Sequence, residues 1–313
     1  MRIPLEEAAK RLQHGEVVAV PTETVYGLAA ILDNENAVKK IFELKSRPQD
    51  NPLIVHIGDL NELKGLVQKM PTTLSKVTGF WPGPLTVVFE ANAKRVPDLV
   101  RAHLPTVGIR MPALQLTRDL IALTGPLVAP SANVSGRPSA TTPEHVEFDF
   151  GSDFPVLDGG ECLRGVESTI ISLQGESWSC LRSGAISQED LARALEREPQ
   201  LQTHSNKPLS PGQKYRHYAP QCELRLCLSF EALQADQATG CFDAVLGFSE
   251  TKTKLPLFNL GPREDFTENL KRLYATLREL DAKACRHVLV DMDFEIFGLG
   301  VTLKDRLERA AKK

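Results

Sequence analysis

The stretch FELKSRPQDNPLIVHI, residues 42–57, decides how this chain is read. Its first half closes a helical pattern over 35–47, with Ala37, Val38, Ile41 and Leu44 on one face. Pro48 stops that pattern, because proline lacks the N–H and the steric freedom to continue a helix. The second half, LIVHI at 53–57, reads as a short buried strand. Lys45, Arg47 and Asn51 stand where helix gives way to strand. A cation at a helix C-terminus complements the macrodipole by about 0.3–1 kcal/mol, which accounts for one of the two. Arginine also offers a planar fork, and lysine a point charge, to a bound anion. Solvated decoration and an anion site both stay open on these residues alone. His56, inside the apolar run, reads more readily as a satisfied core histidine than as a catalyst.

Working outward, EVVAVP (16–21), LTVVFE (85–90), VGIRM (107–111), PLVAP (126–130) and STIISL (168–173) read as further strands. TRDLIALTG (117–125) reads as a helix closed by glycine, and SQEDLARALERE (187–198) as a helix capped by Ser187. The segment before residue 201 is therefore α/β. Residues 201–221 are rich in proline and polar side chains with no apolar period, which marks a linker. They nevertheless gather Lys214, Tyr215, Arg216, His217 and Tyr218. After them, strands at 222–230, 242–249 and 287–293 alternate with a helix at 265–283 and a final helix, giving a small parallel, doubly wound unit. The expected division is 1–200, linker 201–221 and 222–313.

The 313 residues suit two domains, and 42% hydrophobic with 25% charged residues is ordinary for a globular chain. No run approaches the ~20 apolar residues of a membrane helix. The opening MRIPLEEAAKRLQHG is charged and amphipathic and does not read as a signal peptide. Six cysteines without a CxxC pair fit neither a zinc site nor a disulfide framework, so a cytoplasmic setting is expected. A net charge of −3 leaves nucleic-acid binding to a local patch.

Four more stretches carry hydrogen-bonding side chains. PTETVYGL (21–28) holds Thr24, and Gly27 permits close backbone approach; the plain alternative is a turn with structural hydroxyls. APSANVSGRPSATT (129–142) carries Ser131, Asn133 and Thr141 after an apolar strand, where open α/β sheets bind ligands; an ordinary loop is the alternative. RGVESTI (164–170) and CLRSG (180–184) add Ser168 and Arg182. GxxxxGK[ST], GxGxxG after a strand, GxSxG and HExxH are all absent, so phosphate would be handled by side chains in an open cavity.

PTETVYGL, KSRPQDNPLIVHI, WPGPLTVVF, TVGIRMP, APSANVSGRPSAT, ESTI and LRSGAI, in this order and spacing, resemble the YrdC-like threonylcarbamoyl-AMP synthase family. SPGQKYRHYAP and GLGVTLKDRLERAA are similar to the linker and C-terminal domain of its longer members, so the resemblance spans essentially the whole chain. Ala29 stands where the family pattern has glycine. The resemblance implies a curved, mixed YrdC-like sheet with a positively charged cavity, plus a smaller Rossmann-like three-layer domain. It implies a nucleotidyltransferase that joins L-threonine, bicarbonate or CO2, and ATP, releasing pyrophosphate. A separate transferase complex then carries the product to tRNA. Magnesium would arrive with ATP.

By the same resemblance, Lys45 and Arg47 face the triphosphate as the catalytic cations, with Asn51 beside them. Thr106, Asn133, Thr141, Arg182 and Tyr218 line the nucleotide, with Arg47 and Asn51. Thr24, His56, Arg110, Ser131 and Ser168 hold threonine, Arg110 through the carboxylate. The linker, with Tyr218, becomes a lid over the cavity. The rival expectation is a non-catalytic double-stranded RNA or tRNA-binding module presenting Lys45, Arg47, Arg110, Arg137 and Arg182, and weak direct RNA contact is its milder form. A carbamoyl-adenylate domain like that of hydrogenase-maturation proteins fits less well, since the CxxC pairs of those chains are missing.

Overall fold

The structure, a computed structural model, describes residues 1–200 and 217–312. The expected lid therefore lies outside the described residues, Lys214, Tyr215 and Arg216 included, apart from 217–221. The described residues form two compact units. One comprises 1–135, 140–163 and 167–200, and the other 136–139, 164–166 and 217–312.

Ten strands build the sheet of the first unit. They are β1 (Arg2–Ile3), β2 (Val18–Val20), β3 (Gly27–Ile31), β4 (Ile54–His56), β5 (Leu85–Glu90), β6 (Thr106–Arg110), β7 (Leu127–Val128), β8 (Val156–Leu157), β9 (Thr169–Gln174) and β10 (Ser177–Arg182). Their spatial order is β1-β8-β2-β3-β7-β4-β6-β5-β9-β10. β4 and β6, and β5 and β9, run parallel; β5 and β6, β4 and β7, and β9 and β10 run antiparallel. The sheet is thus mixed, as the resemblance implied, and not doubly wound.

Helices α1 (Leu5–Gln13), α2 (Glu35–Lys45), α3 (Leu63–Leu66), α4 (Asp98–Arg101), α5 (Gln115–Thr124), α6 (Pro143–Phe150) and α7 (Gln188–Leu195) complete the unit. Ala8, Leu12, Leu120 and Ile121 of α1 and α5 share a core with Val18 and Val20. Val38, Ile41 and Leu191 of α2 and α7 share the larger core with Ala19, Val55, Val87 and Ile109. Strand β2 serves both cores because alternate residues point to opposite faces. Helix α2 starts where the Asn34 side chain accepts from the Ala37 N–H at 3.0 Å. It ends two residues short of the expected 47: Ser46 is left-handed at φ 50°, and Arg47 N–H donates to the Phe42 carbonyl at 2.9 Å.

In the second unit β11 (Glu223–Cys227), β12 (Ala244–Gly247), β13 (Leu257–Asn259) and β14 (His287–Asp291) are all parallel, in the order β11-β14-β12-β13. Helices α8 (Phe230–Ala238), α9 (Phe266–Ala282) and α10 (Leu299–Ala311) accompany them. Leu233 of α8 packs with Cys227, Val245 and Leu289, while the alternating Leu224, Leu246, Val288 and Val290 are buried as well. Burial of both faces is what a parallel sheet clad by helices requires. The expected small parallel unit is present; the three-residue β13 was too short for its period to register. No helix among the described residues is long and apolar enough to cross a membrane.

Candidate functional site

One rung of the first sheet gathers polar side chains. Register sets His56 of β4 opposite Arg110 of β6, and Arg110 opposite Thr86 of β5. Their sequence neighbours Val55, Ile109 and Val87 lie in the hydrophobic core, so the period of two puts the three polar side chains on the opposite face. The adjoining rung is Ile54, Gly108 and Val88. A Cβ at Gly108 would come within 3.2 Å of the Thr86 methyl. Thr106, Gly108, Thr86 and Ile170 are among the residues lining a shallow pocket on this face.

Arg110 is 4% exposed, and its guanidinium is fixed from three directions. Nε donates to the Gly83 carbonyl at 3.2 Å, Nη1 donates to Thr24 Oγ1 at 2.8 Å, and Nη2 ion-pairs with Glu23 Oε1 at 2.6 Å. Thr24 is itself set by Thr22, whose hydroxyl lies 2.7 Å away and accepts the Thr24 and Val25 N–H groups at 3.2 Å. This hydroxyl-linked turn is the local reason PTETV leaves its strand as it does. Gly27 then runs against the loop at 129–131: a Cβ there would meet Ala129 Cβ at 2.9 Å. The bridge between Gly27 and Ser131 needs that close approach. The same LAA segment forms β3, buried on both faces and so without the alternation that would have announced a strand.

Lys45 ends α2 almost fully buried, at 1% exposure. Its Nζ donates to the Ser131 and Asn133 carbonyls, both at 2.5 Å. Arg47 donates from Nε to the Asn51 carbonyl at 3.3 Å and from Nη2 to the Pro52 carbonyl at 2.9 Å. The two cations of the 42–57 stretch thus act on backbone oxygens, one holding the 131–133 loop and one the 51–52 turn. Asn133 is buried and donates from Nδ2 to the Val134 carbonyl at 2.8 Å. Thr141 is fully buried beside His145 Nδ1, at 3.2 Å from its hydroxyl.

At the far side of the rung, Ser168 Oγ lies 2.7 Å from Thr86 Oγ1. Arg182 Nη2 donates to the Ser168 carbonyl at 2.9 Å and to its hydroxyl at 3.3 Å. Thr24 with Arg110, and Thr86 with Ser168 and Arg182, therefore form two hydrogen-bonded groups that register sets side by side, with His56 next to Arg110. Tyr218 belongs to the second unit, where its ring stacks on Tyr274 at 5.2 Å and lies 5.0 Å from the Arg306 guanidinium. Glu23 and Thr86 escaped the sequence reading. Glu23 is a lone acid among the hydroxyls of PTETVYGL, and Thr86 one polar residue at the period-two position of an apolar strand.

His56 is 4% exposed, and its Nδ1 has no hydrogen-bond partner among the described residues. Burial first, and the Arg110 charge second, push its pKa down to about 3. It is therefore a neutral imidazole at physiological pH. The folded value lies below the ordinary ~6.5, so its contribution to stability is present above that value and is lost as pH falls from about 6.5 towards 3. Its imidazole NMR resonance is expected to hold steady from pH 8 to about 4; a midpoint near 6.5 would show that the ring is neither buried nor beside a cation. Burial also pushes the nearby Cys162 thiol up to about 12, so it stays protonated and supplies no thiolate nucleophile. Among the described residues no cluster of three or more His, Cys, Asp or Glu is disposed to hold a metal ion.

Two family models match the chain. The Sua5/YciO/YrdC model, described as telomere recombination, matches residues 10–184, and Sua5_C, described as threonylcarbamoyl-AMP synthase, C-terminal domain, matches residues 186–312. The chain is 38% identical to a threonylcarbamoyl-AMP synthase of Bacillus subtilis, over 98% of this chain and 92% of the relative. It is 37% identical to one from Pyrococcus abyssi, over 97% and 93% of the two chains. Its structure is similar to that of P. abyssi Sua5 complexed with L-threonine, with TM-score 0.89, 35% identity and coverage of 99% and 96%.

Proposed function

Because the chain belongs to the Sua5/YciO/YrdC family, we propose how its own residues carry out threonylcarbamoyl-AMP synthesis, the activity for which its relatives are named. The observation that carries the reading is the rung: an oriented arginine, a neutral imidazole and the hydroxyls of Thr24, Thr86 and Ser168, all on one polar face. That set matches a small amino acid with a carboxylate, an amine and a hydroxyl. Arg110 takes the carboxylate, and His56, Thr24 and Ser168 take the hydroxyl and amine. The P. abyssi protein, solved with L-threonine, supports this assignment.

The amine of threonine captures CO2, supplied as such or from bicarbonate, and a carbamate results. A carbamate oxygen then attacks the α-phosphorus of ATP, the bond from that phosphorus to the bridging oxygen breaks, and pyrophosphate leaves. Two anions must meet, so the protein's task is alignment and positive charge more than proton abstraction. A neutral His56 fits that division of labour. Lys45 and Arg47 bring charge to the triphosphate from the end of α2 while shaping the loops that carry Asn51, Ser131 and Asn133. Thr106, Thr141 and Arg182 line the nucleotide. Magnesium travels on ATP and screens its phosphates. The product then passes to a transferase that modifies tRNA.

Of the five cations grouped in the sequence for direct RNA binding, Arg47, Arg137 and Arg182 are half-buried and two are closed to it. Lys45 and Arg110 are buried, at 1% and 4% exposure, and a duplex backbone cannot reach them.

The test is pyrophosphate release from ATP, magnesium and bicarbonate. It is expected to require threonine and to fall at least about tenfold with valine, which lacks the hydroxyl that the polar groups would pair. Equal release with valine or without any amino acid would overturn the assignment of the rung.

A further inference from the structure

Within one cleft this reaction must hold an amino-acid carboxylate beside a triphosphate and the pyrophosphate it releases. A buried, unbalanced arginine fork would favour the phosphates, which carry more charge and match its geometry equally well. Arg110 is not unbalanced. Glu23, also 4% exposed, has both carboxylate oxygens in use: Oε1 lies 2.6 Å from Arg110 Nη2, and Oε2 accepts the Ala113 N–H at 2.9 Å. The Ala113 amide lies three residues past Arg110, the last residue of its strand, so acid and base are held near the same strand end. With Gly83 and Thr24 occupying Nε and one Nη1 direction, the guanidinium is locked in orientation. Further N–H directions of its five remain for a ligand.

We infer that Glu23 is a specificity-determining residue: its carboxylate cancels the charge of Arg110, so that the rung admits an overall neutral amino acid and turns away phosphate. The inference rests on the reading that Arg110 receives the carboxylate of threonine. Glu23 repels any anion approaching Arg110, and the repulsion grows with the anion's charge. A zwitterion is penalised little, because its ammonium group is attracted by the same carboxylate. The residue touches neither reacting atom; it acts through Arg110.

Calorimetric titration of L-threonine into the full chain, with and without inorganic phosphate, tests this. In the wild type, millimolar phosphate is expected to leave threonine affinity unchanged. In Glu23→Gln, which keeps the acceptor for Ala113 but loses the charge, phosphate is expected to compete. The ratio of phosphate inhibition constant to threonine dissociation constant should fall by about tenfold or more. Glu23→Asp, which keeps the charge, should restore that ratio. A ratio within twofold of wild type in a folded Glu23→Gln protein would overturn the inference, as would strong phosphate competition in the wild type, which needs no variant to measure. Arg110→Lys separates the two claims. If it leaves threonine affinity intact, the carboxylate reading itself is wrong. If it weakens threonine while Glu23→Gln leaves the ratio unmoved, only the role of Glu23 is wrong.

Discussion

Lys45→Met is expected to lower the stability of the first unit by about 2–5 kcal/mol and to reduce turnover roughly a hundredfold. The physical reason is the burial of the ammonium and its two acceptors. Methionine fills much of the same volume but leaves the Ser131 and Asn133 carbonyls, each 2.5 Å from Nζ in the wild type, without their donor in a nearly dry setting. Each orphaned acceptor costs about 1–3 kcal/mol. For a unit of this size the loss corresponds to a fall in melting temperature of about 5–15 °C. The loop then relaxes, and displacements near 1 Å in a positioning loop are enough for the kinetic loss. Scanning calorimetry and steady-state pyrophosphate release read the two effects. A melting temperature within a degree or two of wild type would show that the ammonium does not sit on those carbonyls.

Gly184→Ala is expected to cost about 2–4 kcal/mol and at least about tenfold in activity. An added Cβ would lie 2.4 Å from both the Glu167 carbonyl and the Thr169 nitrogen and 2.5 Å from the Ser168 carbonyl carbon. All three are backbone atoms, so no flexible side chain can yield. The strand start must move, and with it Ser168, whose hydroxyl meets Thr86 and Arg182. Gly79→Ala is the control, because nothing lies within 4 Å of a Cβ there. Urea unfolding of the two variants should separate them clearly. Equal stabilities would mean that the turn at 183–185 does not press on the strand as the structure has it.

Much of the site was legible because side-chain type and spacing carry it. TVGIRM announced a strand with Arg110 at the polar phase, and PLIVHI placed His56 likewise. Strand direction left no such trace: parallel and antiparallel neighbours share one period, so only the resemblance distinguished a mixed sheet from a doubly wound one. Helix α2 was legible through its apolar face and Pro48, yet its end was overrun because a left-handed serine at 46 has no compositional signature. Strand β3 is absent from the strands read in the sequence because full burial on both faces erases its alternation.

The sequence by itself determined the family, the order of its motifs, the two α/β units and most of the residues on the polar face. Only the tertiary structure decided what the cations do. Lys45 meets carbonyls 86 and 88 residues away, and Arg110 is matched by Glu23 from a loop 87 positions earlier. A main-chain carbonyl is the same group in every residue, and an acid can pair with any base that folding brings near. Which donor finds which acceptor is settled by the path of the chain in space, and that path is not written in the identity of either partner.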